Sequence, residues 1–96
     1  MLKYLWSEEK NKLLKETRGI GFEKVVDAIT HNRAITNILN PNQIRYPGQR
    51  IHILIINNYT YAVPYLKDKK GIFLKTIYAS HKYHKQYNKK EKYEQS

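Results

Sequence analysis

Cysteine is absent from all 96 residues, which removes disulfides, thiolate catalysis and cysteine-ligated zinc together. Acid is scarce: 8 Asp and Glu stand against 18 Lys and Arg. The adjacent pair Glu8-Glu9 is solvated and makes a poor general acid/base couple. Long apolar runs are missing too. None approaches the ~18 residues a membrane helix needs, and the N-terminus has no uninterrupted apolar signal region, so a cytoplasmic protein is expected. There is no internal repeat, P-loop, dinucleotide fingerprint or His-Glu-x-x-His pair. No metal or cofactor is expected. His81-x-x-His84 has a spacing that can meet a metal on a helix, but it has lysines between its members and no carboxylate cluster beside it.

What is present is basic charge. The formal balance is +10, which in a small domain points to a polyanionic partner, nucleic acid before others. Residues 1–96 are expected to form a single domain, burying only about 60 to 65% of the unfolded chain's surface. A core of that size favours a shallow surface site over an enclosed pocket.

Met1 to Trp6 reads as an edge strand or an apolar lead-in. Ser7 is a candidate N-cap, with Glu8 and Glu9 in the first turn, where the helix dipole favours acids. A helix follows to about Thr17, ended by Gly19-Ile20-Gly21. Phe22, Val25, Val26 and Ile29 stand at i, i+3, i+4 and i+7, the face of a second helix that packs on a sheet. The segment Asn32 to Asn40 fits either a longer helix or a strand. Ile51 to Ile56 is a central strand, apolar on both faces. Asn57-Asn58 makes a tight hairpin that sets Ile56 opposite Tyr59, Leu54 opposite Tyr61 and His52 opposite Val63. The face of Ile51, Ile53, Ile55 and Ala62 is expected to receive the helices, leaving His52, Leu54, Tyr59 and Tyr61 on the other.

Ile72 to Ala79 is expected to be one strand running directly into the Lys, His and Tyr-rich stretch that ends at Tyr87. Alternation then projects Phe73, Lys75, Ile77, Ala79 and His81 to one side, which puts a cation in an otherwise apolar face. A snorkelling lysine is the plain account; a functional cation is the other. Residues 82–96 form a basic C-terminal helix or a mobile tail, in which Tyr83 and Tyr87 at i, i+4 can hold a short helix to the sheet. The fold class is therefore α+β: two N-terminal helices packed on a small antiparallel sheet, with a basic C-terminal segment. Tyrosines and cations gathered on one face suit single-stranded RNA, since rings stack on unpaired bases while Lys and Arg hold phosphates. The candidates for RNA binding are Tyr59, Tyr83, His84, Lys85 and Tyr87.

The order of short motifs resembles a known family. Trp6 to Lys12 (WSEEKNK), Gly19 to Val26 (GIGFEKVV), Arg45-Tyr46, a hairpin, and Thr76 to Lys82 (TIYASHK) are similar to the BrnT-type toxins of bacterial toxin-antitoxin pairs, over roughly Tyr4 to Tyr87. The resemblance implies a RelE-like arrangement of helices on an antiparallel sheet. It also implies metal-independent endoribonuclease activity and a co-expressed antitoxin carrying a DNA-binding domain. Where the family pattern reads Ser-Arg-Lys or Ala-Arg-Lys, this chain has Ser80-His81-Lys82.

Cleaving RNA without a metal requires a base for the 2′-hydroxyl, fixed cations for the transition state, and an acid for the leaving 5′-oxygen. Lys75, Lys82, Arg45 and Arg50 are the candidate cations, with His52, His81 and Tyr61 as proton carriers. Plainer roles stand beside them: solvated loop charges for the arginines and a packed strand residue for His52. His81 has two readings. As a weakened copy of the arginine, the favoured expectation, it predicts that His81→Arg raises cleavage about 10- to 1,000-fold. As a proton carrier it predicts the reverse, because a guanidinium does not exchange protons near neutral pH. A nucleic-acid or antitoxin-binding protein that does not cleave is the alternative function.

Overall fold

Ser7 caps the first helix as its chemistry requires: the extended backbone lets its hydroxyl accept from the Lys10 amide at 3.2 Å. In the computed structural model, which describes residues 3–87, this helix α1 spans Glu8–Arg18, after a short strand β1 at Lys3–Leu5. Gly19 ends it in the left-handed region at φ 71°. Helix α2 follows at Phe22–Thr30, then strands β2 (Ala34–Leu39), β3 (Arg50–Ile56), β4 (Tyr59–Lys67), β5 (Gly71–Leu74) and β6 (Tyr78–Ala79), and helix α3 at His81–Tyr87. The ambiguous segment after His31 is thus a strand. The expected tail beyond Tyr87 lies outside the described residues.

The sheet order is β1-β5-β4-β3-β2, with β6 also on β4. The β3–β4 hairpin has the expected register, with Ile56 opposite Tyr59, Leu54 opposite Tyr61 and His52 opposite Val63. Asn57 and Asn58 both take positive φ, 52° and 64°, as a primed two-residue turn demands. One expectation fails at the edge. β1 runs parallel to β5, pairing Lys3 with Gly71 and Leu5 with Phe73, so the sheet is mixed rather than antiparallel. Gly71 permits this approach: a Cβ there would collide with the Lys3 carbonyl oxygen.

The two faces are reversed from the sequence expectation. Leu14, Ile20, Phe22, Val25 and Ala28 of the α1–α2 layer bury against Leu54, Ile56, Val63, Tyr65, Leu74 and Ile77, with Tyr61 partly buried beside them. The Ile51, Ile53 and Ala62 face is covered by Tyr83 of α3, with Tyr78 and Tyr87 packed around it. Because β3 is apolar on both faces, alternation alone does not say which helix each face receives.

The expected continuous strand from Ile72 to Ala79 is also interrupted. β5 stops at Leu74, opposite Tyr65, and β6 resumes with Ala79 opposite Tyr61. One extra residue therefore lies on this side between the two ladders, a bulge. Pro64, which has no amide hydrogen to offer, sits at the break and accepts from the Lys75 amide at 2.8 Å. The extra residue changes the facing. Ile77 is fully buried under α1 and α2, while Phe73 and Lys75 remain exposed. Arg18, in the last turn of α1, donates to the Ile77 carbonyl at 2.9 Å and so ties that helix to the bulge.

Candidate nucleic-acid site

The predicted site residues fall in three places. The first is the start of α3, where the chain leaves β6 and Ser80 takes the position of an N-cap. Its hydroxyl accepts from the Tyr83 amide at 3.2 Å, and its own amide donates to the Thr60 carbonyl at 3.0 Å. The helix is therefore anchored to the hairpin end of β4. His81, Lys82 and Lys85 are exposed on it. Tyr59 stands alongside, its hydroxyl 3.4 Å from His81 Nδ1 and its ring stacked on His84 with centroids 4.2 Å apart. His84 Nδ1 is 2.9 Å from the Thr60 hydroxyl, and the Lys82 ammonium lies 5.4 Å from the Tyr83 ring centroid. An exposed imidazole and a phenol thus meet at the start of α3, with Lys82 and Lys85 exposed on the same short helix of a strongly basic chain.

The second place is a pocket of about 310 Å³ between the β2–β3 loop and the bulge, lined by Asn40, Tyr46, Gln49, Pro64, Lys75, Thr76 and Tyr78. Lys75 is here, with its ammonium 4.9 Å from the Phe73 ring centroid, and the Arg45 guanidinium lies 5.5 Å from the Tyr46 ring centroid. The loop is shaped by amides. Asn40 donates to Gln49 Oε1 at 2.8 Å, and Gln43 donates to the Asn40 carbonyl at 2.7 Å while accepting from the Gly48 amide at 2.9 Å. Burial, then the neighbouring Tyr83 and Tyr46, push the Tyr78 phenol above its ordinary pKa, so its hydroxyl stays protonated as a hydrogen-bond donor.

The third place holds Arg50 and His52 on the sheet face that carries α1 and α2, joined through Asn37 of β2. Arg50 Nε donates to Asn37 Oδ1 at 2.6 Å, which fixes the orientation of that amide because a guanidinium only donates. The Asn37 amino group then donates to His52 Nδ1 at 3.1 Å and to the Tyr65 hydroxyl. His52 therefore carries its proton on Nε2, which is buried without a partner, and its ring stacks on Tyr65 with centroids 4.2 Å apart. Burial first, and the Arg50 charge second, hold the imidazole down to about 4. His52 is thus a neutral, walled-in ring, and neither nitrogen faces a substrate.

Several candidates therefore serve the packing. Tyr83 is 7% exposed in the β3–β4–α3 core, Tyr87 packs on the same cluster, and Tyr61 belongs to the opposite one. Sequence reasoning missed Asn37, Thr60, Tyr65 and the amides of the β2–β3 loop. One of these carried a signal once the strands are paired: Asn37 lies opposite His52, and polar residues at half-buried sheet positions find partners; Thr60 lies opposite Ile55 and carried none. The candidate pair His81 and His84 has no third His, Asp or Glu gathered with it among the described residues. No helix of the described residues is long and apolar enough to cross a membrane. No family model, curated protein or solved structure matches the chain.

Proposed function

We propose that this chain is the toxin of a bacterial toxin-antitoxin pair, a metal-independent endoribonuclease whose reacting group is His81. The observation that carries the proposal is the corner at α3, where an exposed imidazole lies beside the Tyr59 hydroxyl, with Lys82 and Lys85 exposed on the same short helix, in a chain of formal charge +10. The motif resemblance over Tyr4 to Tyr87 supports the same reading.

The chemistry follows from the groups. A neutral imidazole takes the proton of a ribose 2′-hydroxyl, and the freed oxygen attacks the adjacent phosphorus. The bond to the 5′-oxygen breaks, leaving a 2′,3′-cyclic phosphate and a 5′-hydroxyl end. Lys82 and Lys85 supply positive charge for the phosphorane oxygens, and the Tyr59 phenol gives its proton to the leaving 5′-oxygen and regains one from the His81 imidazolium. Among the other histidines, His52 is buried in its Asn37–Tyr65 network, His84 is held by Thr60 and Tyr59, and His31 Nδ1 lies 3.1 Å from the Asp27 carboxylate. His81 is therefore the histidine assigned to proton transfer in this reading, and the weakened copy of an arginine is the reading it competes with. The cognate antitoxin is proposed to carry a DNA-binding domain and an acidic segment that lies over this corner, burying on the order of 1,000 Å² per side.

Expression of the chain without its antitoxin is expected to arrest bacterial growth with loss of RNA integrity. His81→Arg and His81→Ala are both expected to relieve the arrest, by about 100-fold or more in cleavage rate. Arrested cells with intact RNA would remove the nuclease reading. A more active His81→Arg protein would restore the weakened-arginine account.

A further inference from the structure

The pocket behind the β2–β3 loop reaches away from that corner at its Pro64 end, while its Tyr78 wall stands three residues before His81. Thr60 touches α3 through His84, whereas Pro64, four residues along the same strand, lines the pocket. At ~3.3 Å per residue the two are about 13 Å apart. No carboxylate lines the pocket, and its charged member is Lys75, with the Arg45 guanidinium just outside over Tyr46. Two aromatic rings, Tyr46 and Tyr78, share its wall with the hydroxyl of Thr76 and the amides of Asn40 and Gln49. Its volume of about 310 Å³ sits at the bottom of the ~300–1,000 Å³ range of small-molecule sites, which suits one nucleotide and nothing much larger.

The Asn40, Gln49 and Pro64 side of the pocket is fixed before any ligand arrives. Gln49 is 8% exposed and is gripped through Asn40, while the Gln43 side chain also donates to the Gln49 carbonyl at 3.1 Å. Pro64 is buried, and its carbonyl is taken by the Lys75 amide. Such preorganisation lowers the entropy lost on binding. We propose that this pocket is a binding site for a single nucleoside phosphate, with the base against the rings of Tyr46 and Tyr78 and the phosphate on Lys75. As a feature of RNA recognition the site rests on the function proposed above. It is a nucleotide subsite apart from the cleaving corner, and it selects for an unpaired residue because only an unstacked base can enter. The same chemistry can come from a free mononucleotide or from one residue of an RNA strand.

The test is a titration of the full chain followed by backbone amide chemical shifts, using adenosine and uridine 5′-monophosphate, inorganic phosphate, and a short unstructured RNA with a non-cleavable 2′-deoxy position. Shifts at Tyr46, Gln49, Thr76 and Tyr78 with a mononucleotide or with the RNA are expected. A response to both ligands identifies the free nucleotide as sufficient, and a response to the RNA alone identifies a strand residue. Lys75→Gln and Tyr46→Leu are each expected to weaken binding about 10-fold while leaving the amide spectrum elsewhere unchanged. If none of these amides shifts, or if inorganic phosphate binds as tightly as the nucleotides, the pocket does not read a base and the inference is overturned. The two proposals fail separately. Pocket shifts in a protein that cleaves nothing would remove the nuclease and leave the subsite. Cleavage with an unchanged KM in both variants and silent pocket amides would do the opposite.

Discussion

Two buried polar residues hold more of this structure than their size implies. Asn11 is 2% exposed; its side-chain oxygen accepts from the Phe22 amide at 2.6 Å, and its amino group donates to both oxygens of Glu23. It thus caps α2 from α1, because Gly21 in the N-cap position provides no side chain. The Glu23 carboxyl is held below its ordinary range, first by this Asn11 bond. Asn11→Ala is expected to cost about 1–3 kcal/mol in chemical denaturation, since it strands a buried amide. His52 gives a pH dependence. The folded protein keeps the ring neutral down to about 4, whereas an unfolded histidine protonates near ~6.5. Between those values the unfolded chain binds the extra proton, so stability falls as the pH drops. The contribution is whole above ~6.5 and lost on the way to about 4. His52→Phe, which keeps the stack on Tyr65, is expected to flatten this: the difference in urea midpoint between pH 7 and pH 5 should shrink relative to the natural protein. An unchanged difference would assign the effect to other groups. Neither residue's role was legible in the sequence, because a single Asn or His on an element does not announce which distant backbone it will meet.

At the level of elements, α3 depends on its anchors. Seven residues make a helix that is marginal in isolation, so its order comes from Tyr83 packed on Ile51, Ile53 and Ala62, and from the Thr60 contacts at its start. Tyr83→Ala is expected to cost about 3 kcal/mol, to speed hydrogen exchange at the α3 amides, and to abolish cleavage although Tyr83 touches no substrate. Retained cleavage with a frayed α3 would separate the activity from this helix. The hairpin, by contrast, was legible to the register, because Asn57-Asn58 tolerates the two positive φ values that set the pairing of every residue after it. The parallel β1–β5 pairing was not, since it joins segments about seventy residues apart that carry no mutual signal. Pro64, which has no ladder hydrogen bond to donate, is a sign in the sequence of an edge or bulge, but it does not say that the partner strand absorbs the irregularity by one extra residue and buries Ile77.

Over the whole molecule, the surplus of cations means that the proposed RNA binding should depend steeply on salt. Each phosphate neutralised on single-stranded RNA contributes about −0.7 to the slope of log affinity against log salt. Contacts from Lys82, Lys85, Lys75 and Arg45 together therefore predict a slope near about −3, and Lys82→Gln should reduce it by about one contact. The basic character and the α+β class were legible from composition and periodicity. The division of the predicted residues among a corner, a pocket and a closed Asn37–His52–Tyr65 network was not, since it is set by which sheet face each helix covers. The central claim, that the α3 corner cuts RNA with His81, is tested most directly by incubating the purified chain with single-stranded RNA in excess chelator and identifying the product ends. The account predicts fragments ending in 2′,3′-cyclic phosphate from the natural protein and none from a folded His81→Ala variant. Intact RNA with the natural protein, or equal cleavage by the variant, would contradict it.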